Sequence, residues 1–126
     1  DEEEAKVLSD HCRKIGISFS MLVAPTSSDE RIKRLVGLSS GFLYILARLG
    51  LTGEQSKIPV IAARIEKIRS ITDLPLAVGF GISTKAHVQA VHKHADAAIV
   101  GSALVRRMAE ESDPIVGAEK FVREIS

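Results

Sequence analysis

Four short apolar runs, each followed by a stretch with helical spacing, set the rhythm of the chain. Before the first run, Ala5, Leu8, Cys12 and Ile15 recur at spacings of three and four, which predicts a helix from Glu2 to about Ile15 with one apolar face. Its acidic start suits the positive end of the helix dipole, and Gly16 is placed to stop it. Ile17–Val23 alternates and then turns fully apolar, which predicts a strand ended by Ala24-Pro25. Ser28, with Asp29 and Glu30 behind it, reads as the N-cap of a helix carrying Ile32, Leu35, Val36 and Leu38. Gly41–Ala47 is the second strand, and Arg48–Lys57 reads as a long polar loop of the kind that often closes over a site. Pro59 marks the next helix start, with Ile61, Ile65 and Ile68 on its face. The third strand is Leu76–Phe80, and Thr84 or Ser83 caps a helix to about His94 with Val88 and Val91 inward. The fourth strand is Ala97–Val100, followed by a short helix from Ser102 to about Glu110. Asp113-Pro114 opens a last helix whose face is Ile115, Ala118, Val122 and Ile125.

Four strands alternating with about five helices imply βαβ units, a parallel sheet and right-handed crossovers. Apolar runs bounded by Gly or Pro suit strands buried on both faces. Two architectures satisfy this pattern: a small doubly wound sheet, or part of a (β/α)8 barrel of the TIM type. The barrel normally takes about 250 residues and eight units. The chain has 126 residues and four units, so the preferred fold is the C-terminal half of such a barrel, as one domain over residues 1–126.

The third and fourth runs also carry the candidate chemistry. Both stop abruptly at glycine, at Gly79-Phe80-Gly81 and at Gly101-Ser102. Glycine lets a ligand approach the main-chain N–H groups, and a helix N-terminus favours an anion. Two such strand ends side by side would form a cup for a phosphate group. Binding phosphate at the last two strands, with a short extra helix, is a habit of the barrel fold.

Composition removes other readings. The net charge is +1, which gives no footprint for nucleic acid or an anionic membrane. Cys12 is the only cysteine, so no disulfide can form within the chain and a reducing cytoplasmic setting is expected. No apolar stretch reaches the roughly 18 residues of a membrane span. The acidic start lacks the basic region of a signal peptide, and the missing initiator Met suggests that the sequence begins within a longer protein. His11, His87, His92 and His94 do not have metal-ligand spacing, so no metal is expected.

In order, Ala24-Pro25 with Asp29-Glu30-Arg31-Ile32, Gly41-Phe42-Leu43-Tyr44, Arg48-Leu49-Gly50-Leu51-Thr52-Gly53, Val78–Thr84 and Ile99–Val105 resemble the tryptophan synthase alpha chain. The resemblance spans this whole chain and the C-terminal half of the family's length. The Arg-x-Gly-x-Thr-Gly loop four residues after a Tyr is its most specific part. Ala47, where a serine is common, and Leu51, where a valine is frequent, depart from the pattern.

The resemblance implies cleavage of indole-3-glycerol phosphate to indole and glyceraldehyde 3-phosphate, without metal or organic cofactor. It implies phosphate binding at Gly53, Gly81, Gly101 and Ser102, and an indole pocket lined by Phe80 and Ile99. Tyr44 would stand near the reacting end of the substrate, and Thr52 would engage a catalytic aspartate when its loop closes. It further implies a β-chain partner, a missing N-terminal half-barrel, and a cytoplasmic location, or the plastid stroma in a plant. The family's catalytic Glu and Asp precede the stretch represented here. Asp73 and Asp96 each lie before a strand, at the end opposite the cup, while Asp29, Glu30 and Glu54 sit in first-turn or loop positions. The chain alone is therefore expected to bind phosphate weakly and not to catalyse. Two other readings of the same cup remain: half of an isomerase barrel from histidine or tryptophan biosynthesis, and a non-catalytic half-barrel scaffold.

Overall fold

A computed structural model of the chain describes residues 2–47, 54–79 and 81–126, with residues 54–60 described by their backbone alone. Among these, helices and strands alternate as far as β4 and two helices follow it: α1 (Glu2–Lys14), β1 (Leu22–Val23), α2 (Asp29–Leu38), β2 (Leu43–Leu46), α3 (Glu54–Arg69), β3 (Leu76–Gly79), α4 (Lys85–His92), β4 (Ala97–Ile99), α5 (Ser102–Glu110) and α6 (Pro114–Ile125).

The four strands form one parallel sheet in the order β1-β2-β3-β4. That order decides between the two architectures. A doubly wound sheet reverses its strand order at a switch point, which sends helices to both faces. A sheet that advances one strand at a time, through right-handed crossovers, keeps its helices on one face. The burial pattern agrees. Val23, Leu43, Ile45, Leu76 and Val78 face α2, α3 and α4, where Ile32, Leu35, Ile65, Ile68 and Val91 complete a buried core. Each such side chain contributes roughly 1.5–3 kcal/mol when fully removed from water. On the other face of β2, Tyr44 and Leu46 are only half-buried.

Local signals set most element ends. The α1 helix ends in two backbone bonds, Ile17 N–H to Cys12 O at 2.9 Å and Gly16 N–H to Arg13 O at 3.3 Å, with Gly16 at φ 73°. This is the Schellman arrangement, which satisfies the last carbonyls of the helix. Ser28, Thr84 and Asp113 each accept a backbone N–H at the start of α2, α4 and α6, from Arg31, His87 and Ile115 respectively.

Several boundaries and faces differ from the sequence expectation. The first strand does not run over Ile17–Val23; only Leu22–Val23 pairs with β2. Upstream, serine hydroxyls interrupt the ladder: Phe19 N–H donates to Ser40 Oγ at 3.0 Å and Met21 N–H to Ser39 Oγ at 3.2 Å, while Ser40 N–H still donates to Phe19 O at 2.8 Å. The second strand is Leu43–Leu46 rather than Gly41–Ala47, and the fourth stops at Ile99. The third stops at Gly79, beyond which Phe80 lies outside the described residues. The α3 helix starts at Glu54, not at Pro59, so part of the expected Arg48–Lys57 loop is helical. Pro59 lacks a donor, yet the helix runs through it. The α4 helix ends at His92, two residues short of the expected His94.

The outer helices are turned differently. In α1, Leu8 is exposed, as is Ile15 just past its end, Ala5 and Cys12 are half-buried, and the buried residue is Ser9, whose hydroxyl donates to Leu38 O at 2.6 Å. In α6, Ile115 and Val122 point outward, and Gly117 and Phe121 face inward. A Cβ at Gly117 would lie 2.8 Å from Arg107 O, so α5 and α6 meet backbone to backbone there. That close approach selects the Gly117–Phe121 stripe, and Ile115 and Val122 are left outside.

Candidate functional site

The C-terminal ends of β3 and β4 lie side by side. Gly79 pairs with Ile99 in the ladder, so Gly81 and Gly101 stand two residues past matching positions on adjacent strands. Neighbouring strands are about 4.8 Å apart. Gly81 has φ 83°, a conformation that a residue with a Cβ adopts only at a cost, and it is exposed. Gly101 is the N-cap of α5 but offers no side chain to its first turn, and a Cβ there would meet nothing within 4 Å. The first hydrogen bond of α5 runs from Val105 N–H to Gly101 O at 3.1 Å. The N–H groups of Ser102, Ala103 and Leu104 precede it and have no intrahelical acceptor. Ser102 is exposed at this opening. Such a helix start presents partial positive charge and donors to an anion.

Behind this edge sits a contact between β2 and β3. A Cβ placed on Gly79 would fall 2.1 Å from Tyr44 Oη, 2.6 Å from Tyr44 Cζ and 3.2 Å from Ile99 Cβ. Only glycine leaves room for the phenol, which lies across Gly79 beside Ile99. The register explains the geometry. Leu46, Gly79 and Ile99 form one row across three strands, with Tyr44 two residues earlier on the same face. The Tyr44 ring leans along the strand into the space that glycine leaves. Tyr44, Gly79, Ile99, Gly81, Gly101 and Ser102 thus share one end of the sheet. Thr52 and Gly53, with the rest of residues 48–53, and Phe80 lie outside the described residues.

Two residues passed over in the sequence shape the same end. Arg64 on α3 donates through Nη2 to Ala24 O and to Ser27 O, both at 2.9 Å, and so ties the loop after β1 to α3. Its Nε is buried without a partner among the described residues. Nothing in the sequence near Arg64 signals this role, because its acceptors lie about forty positions upstream. His87 accepts the Ser83 N–H at Nδ1 (3.3 Å) and fixes the turn between Gly81 and α4. Its position three residues after the Thr84 N-cap was the available signal.

The opposite end of the sheet is built from charge. Asp96 Oδ2 accepts the Leu76 N–H and an Arg69 guanidinium N–H, each at 2.7 Å. The Leu76 N–H, followed by the Arg69 hydrogen bond, lowers the Asp96 pKa below the usual aspartate value. Asp96 therefore does not stand with the glycines, as its place before β4 implied. Among the described residues no three His, Cys, Asp or Glu side chains converge as a metal site, and no helix is long and apolar enough to cross a membrane.

Known proteins share this arrangement. A profile of the tryptophan synthase alpha chain family matches residues 1–125. The tryptophan synthase alpha chain of Roseiflexus castenholzii is 43% identical over 125 residues, covering 96% of this chain and 48% of the relative. The tryptophan synthase alpha subunit of Campylobacter jejuni superposes with a TM-score of 0.85 at 34% identity, over 98% of this chain and 50% of that one. A subunit from the tryptophan synthase α2β2 complex of Pyrococcus furiosus gives 0.85 at 32% identity, over 99% and 52%. These subunits are TIM barrels, and the chain spans about half the length of the relatives it matches. With a sheet that advances strand by strand and a profile match over nearly its whole length, the chain belongs to the tryptophan synthase alpha chain family.

Proposed function

We propose that this chain supplies the phosphate-holding half of a barrel that cleaves indole-3-glycerol phosphate into indole and glyceraldehyde 3-phosphate. The observation that carries the reading is the shared strand end where Gly81 and the open start of α5 lie beside the Tyr44–Gly79–Ile99 contact. In this reading the phosphate dianion sits against the Gly81 backbone, the first-turn N–H groups of α5 and the Ser102 hydroxyl, with Gly53 closing the cup. The apolar part of the substrate extends along the concave face past Ile99 and Phe80. Tyr44 is held rigid across Gly79 and presents its hydroxyl toward the reacting end. Thr52 acts when the 48–53 loop closes.

Breaking the carbon–carbon bond needs a proton delivered to the indole ring and another removed from a hydroxyl. Two carboxylates in different environments do this best. Asp96 and Asp73 stand at the other end of the sheet, so both groups come from strands outside this chain. A β chain docks on the completed barrel in this reading, as in the tryptophan synthase α2β2 complex of Pyrococcus furiosus.

The test is a titration with glycerol 3-phosphate, followed by the amide resonances of the chain. Saturable shifts at Gly81, Gly101 and Ser102 are expected, and shifts spread evenly over surface amides would overturn the reading. In a companion assay the chain alone releases no indole from indole-3-glycerol phosphate. Adding the N-terminal half of a relative restores release. Two folded halves that together release none would contradict the proposed reaction.

A further inference from the structure

We infer that His87 is a positioning residue for the phosphate cup. Its ring holds the strand-to-helix turn that carries Gly81 and, as a neutral acceptor, does so without repelling a dianion. The inference deepens the phosphate reading proposed above and rests on it.

Gly81 depends on its neighbours to stay in place. It has φ 83° and is exposed, and glycine is the residue least restrained by its own backbone. Before it, the ladder ends where Gly79 pairs with Ile99. After it, Ile82 is buried in the core at 3% exposure. That burial fixes where the chain passes, but not how the next peptide is turned. His87 supplies the second restraint. Its ring Nδ1 accepts the Ser83 N–H at 3.3 Å, and its own N–H donates to Thr84 Oγ1 at 3.2 Å. One residue thus clasps both positions between Ile82 and the first turn of α4.

The bond to Thr84 is an ordinary N-cap, and the bond from Ser83 is not. In a capping box, the third helical residue offers its side chain to the N–H of the N-cap itself. His87 holds that third place but reaches one residue further back, to Ser83, outside the helix. The same place in α2 is Arg31, whose side chain pairs with Glu2, and in α6 it is Val116, which has no acceptor. The extra restraint therefore goes with the helix that follows a glycine of the cup.

The choice of side chain points to an anion as well. Glutamate is favoured at the third position and suits the positive end of a helix. The α2 helix carries Asp29 and Glu30 in its first turn, whereas the first turn of α4 has no acidic residue. An imidazole keeps the acceptor and omits a negative charge that would oppose a phosphate at Gly81. Accepting at Nδ1 places the ring proton on Nε2.

The test titrates glycerol 3-phosphate at about pH 8, above the ordinary imidazole pKa of about 6.5, into labelled wild-type chain and three variants. These are His87→Gln, His87→Ala and His87→Glu, each checked for intact folding by circular dichroism. All keep the N–H of residue 87, so the Thr84 cap survives in each. Gln is a neutral acceptor and is expected to bind within about twofold of the wild type. Ala is expected to bind about three- to tenfold more weakly, with faster hydrogen exchange at the Ser83 amide before ligand is added. Glu is expected to keep Ser83 protected and still bind at least about threefold more weakly. Gln as weak as Ala, or Ala or Glu as strong as the wild type, would overturn the inference and leave the phosphate reading standing. A wild-type chain whose Gly81 amide shows no saturable shift would remove that reading and the inference with it. A nitrogen spectrum of the ligand-free wild type that places the His87 ring proton on Nδ1 would overturn the inference without any variant.

Discussion

The two ends of this sheet are built on opposite plans. At the end where the strands begin, Asp96 ties the Leu76 N–H to Arg69, and the polar groups are answered within the chain. At the end where they finish, Gly79, Gly81 and Gly101 remove side chains, and α5 opens without a cap from its N-cap residue. The first end holds the fold together. The second leaves the first N–H groups of α5 without an intrahelical acceptor, and in the proposed reading a phosphate takes them. The difference teaches where to look for a ligand in such a sheet: at the end whose main-chain donors, among the described residues, are left unanswered.

The contrast breaks most sharply at Gly79. Gly79→Ala drives a methyl group into the Tyr44 phenol, and relief requires the ring to leave its place. A loss of about 2 kcal/mol in urea unfolding is expected, with a changed near-ultraviolet dichroism of the only tyrosine. Tyr44→Ala should recover part of that loss in the double variant. Additive single effects would show that the ring does not occupy the glycine's space. Next comes Arg64→Ala, which leaves Ala24 O and Ser27 O without their donor and is expected to cost about 1–2 kcal/mol by the same measurement. Arg64→Lys, which can still reach a carbonyl and removes the unpartnered Nε, should cost less.

At the charged end, Asp96→Asn should cost about 1 kcal/mol or less near neutral pH, because the Asp96 side chain is 48% exposed and its ion pair is screened. The sign of the pH dependence is fixed. Asp96 has a lowered pKa in the folded chain, so its contribution is complete above the unfolded value of about 3.9 and is lost as pH falls through the folded value. Urea unfolding at a series of acidic pH values should show a shallower acid limb in Asp96→Asn. Identical limbs would remove Asp96 from the account. The smallest effect on stability is expected from Ser102→Ala, within about 0.5 kcal/mol, because Ser102 is exposed. Its affinity for glycerol 3-phosphate should still fall by roughly tenfold.

The same contrast explains how much the sequence disclosed. Features held by short-range hydrogen bonds were legible: Ser28, Thr84 and Asp113 cap helices through N–H groups two or three residues on, and Gly16 stops α1. The buried β2 and β3 strands were legible as apolar runs, and the glycines at their ends as breaks in them. Which stripe of an outer helix turns inward was not legible, because the partner surface decides it. Ser9 is buried in α1 by one bond to Leu38, and Gly117 is buried in α6 by the approach of α5. The Tyr44–Gly79 contact was hidden for a similar reason. It depends on a register that sets Tyr44 against Ala77, leaving its ring to lie over the glycine two residues further along. Arg64 was invisible because its acceptors come from a loop on the far side of β2.

The central claim is that adjacent strand ends at Gly81 and Gly101-Ser102 act together on one anion. Titrating glycerol 3-phosphate into isotopically labelled chain tests it most directly. The account requires Gly81, Gly101 and Ser102 amides to shift along a single binding curve, and Ser102→Ala to weaken all three together. Shifts at one strand end alone, or separate curves for the two, would contradict it.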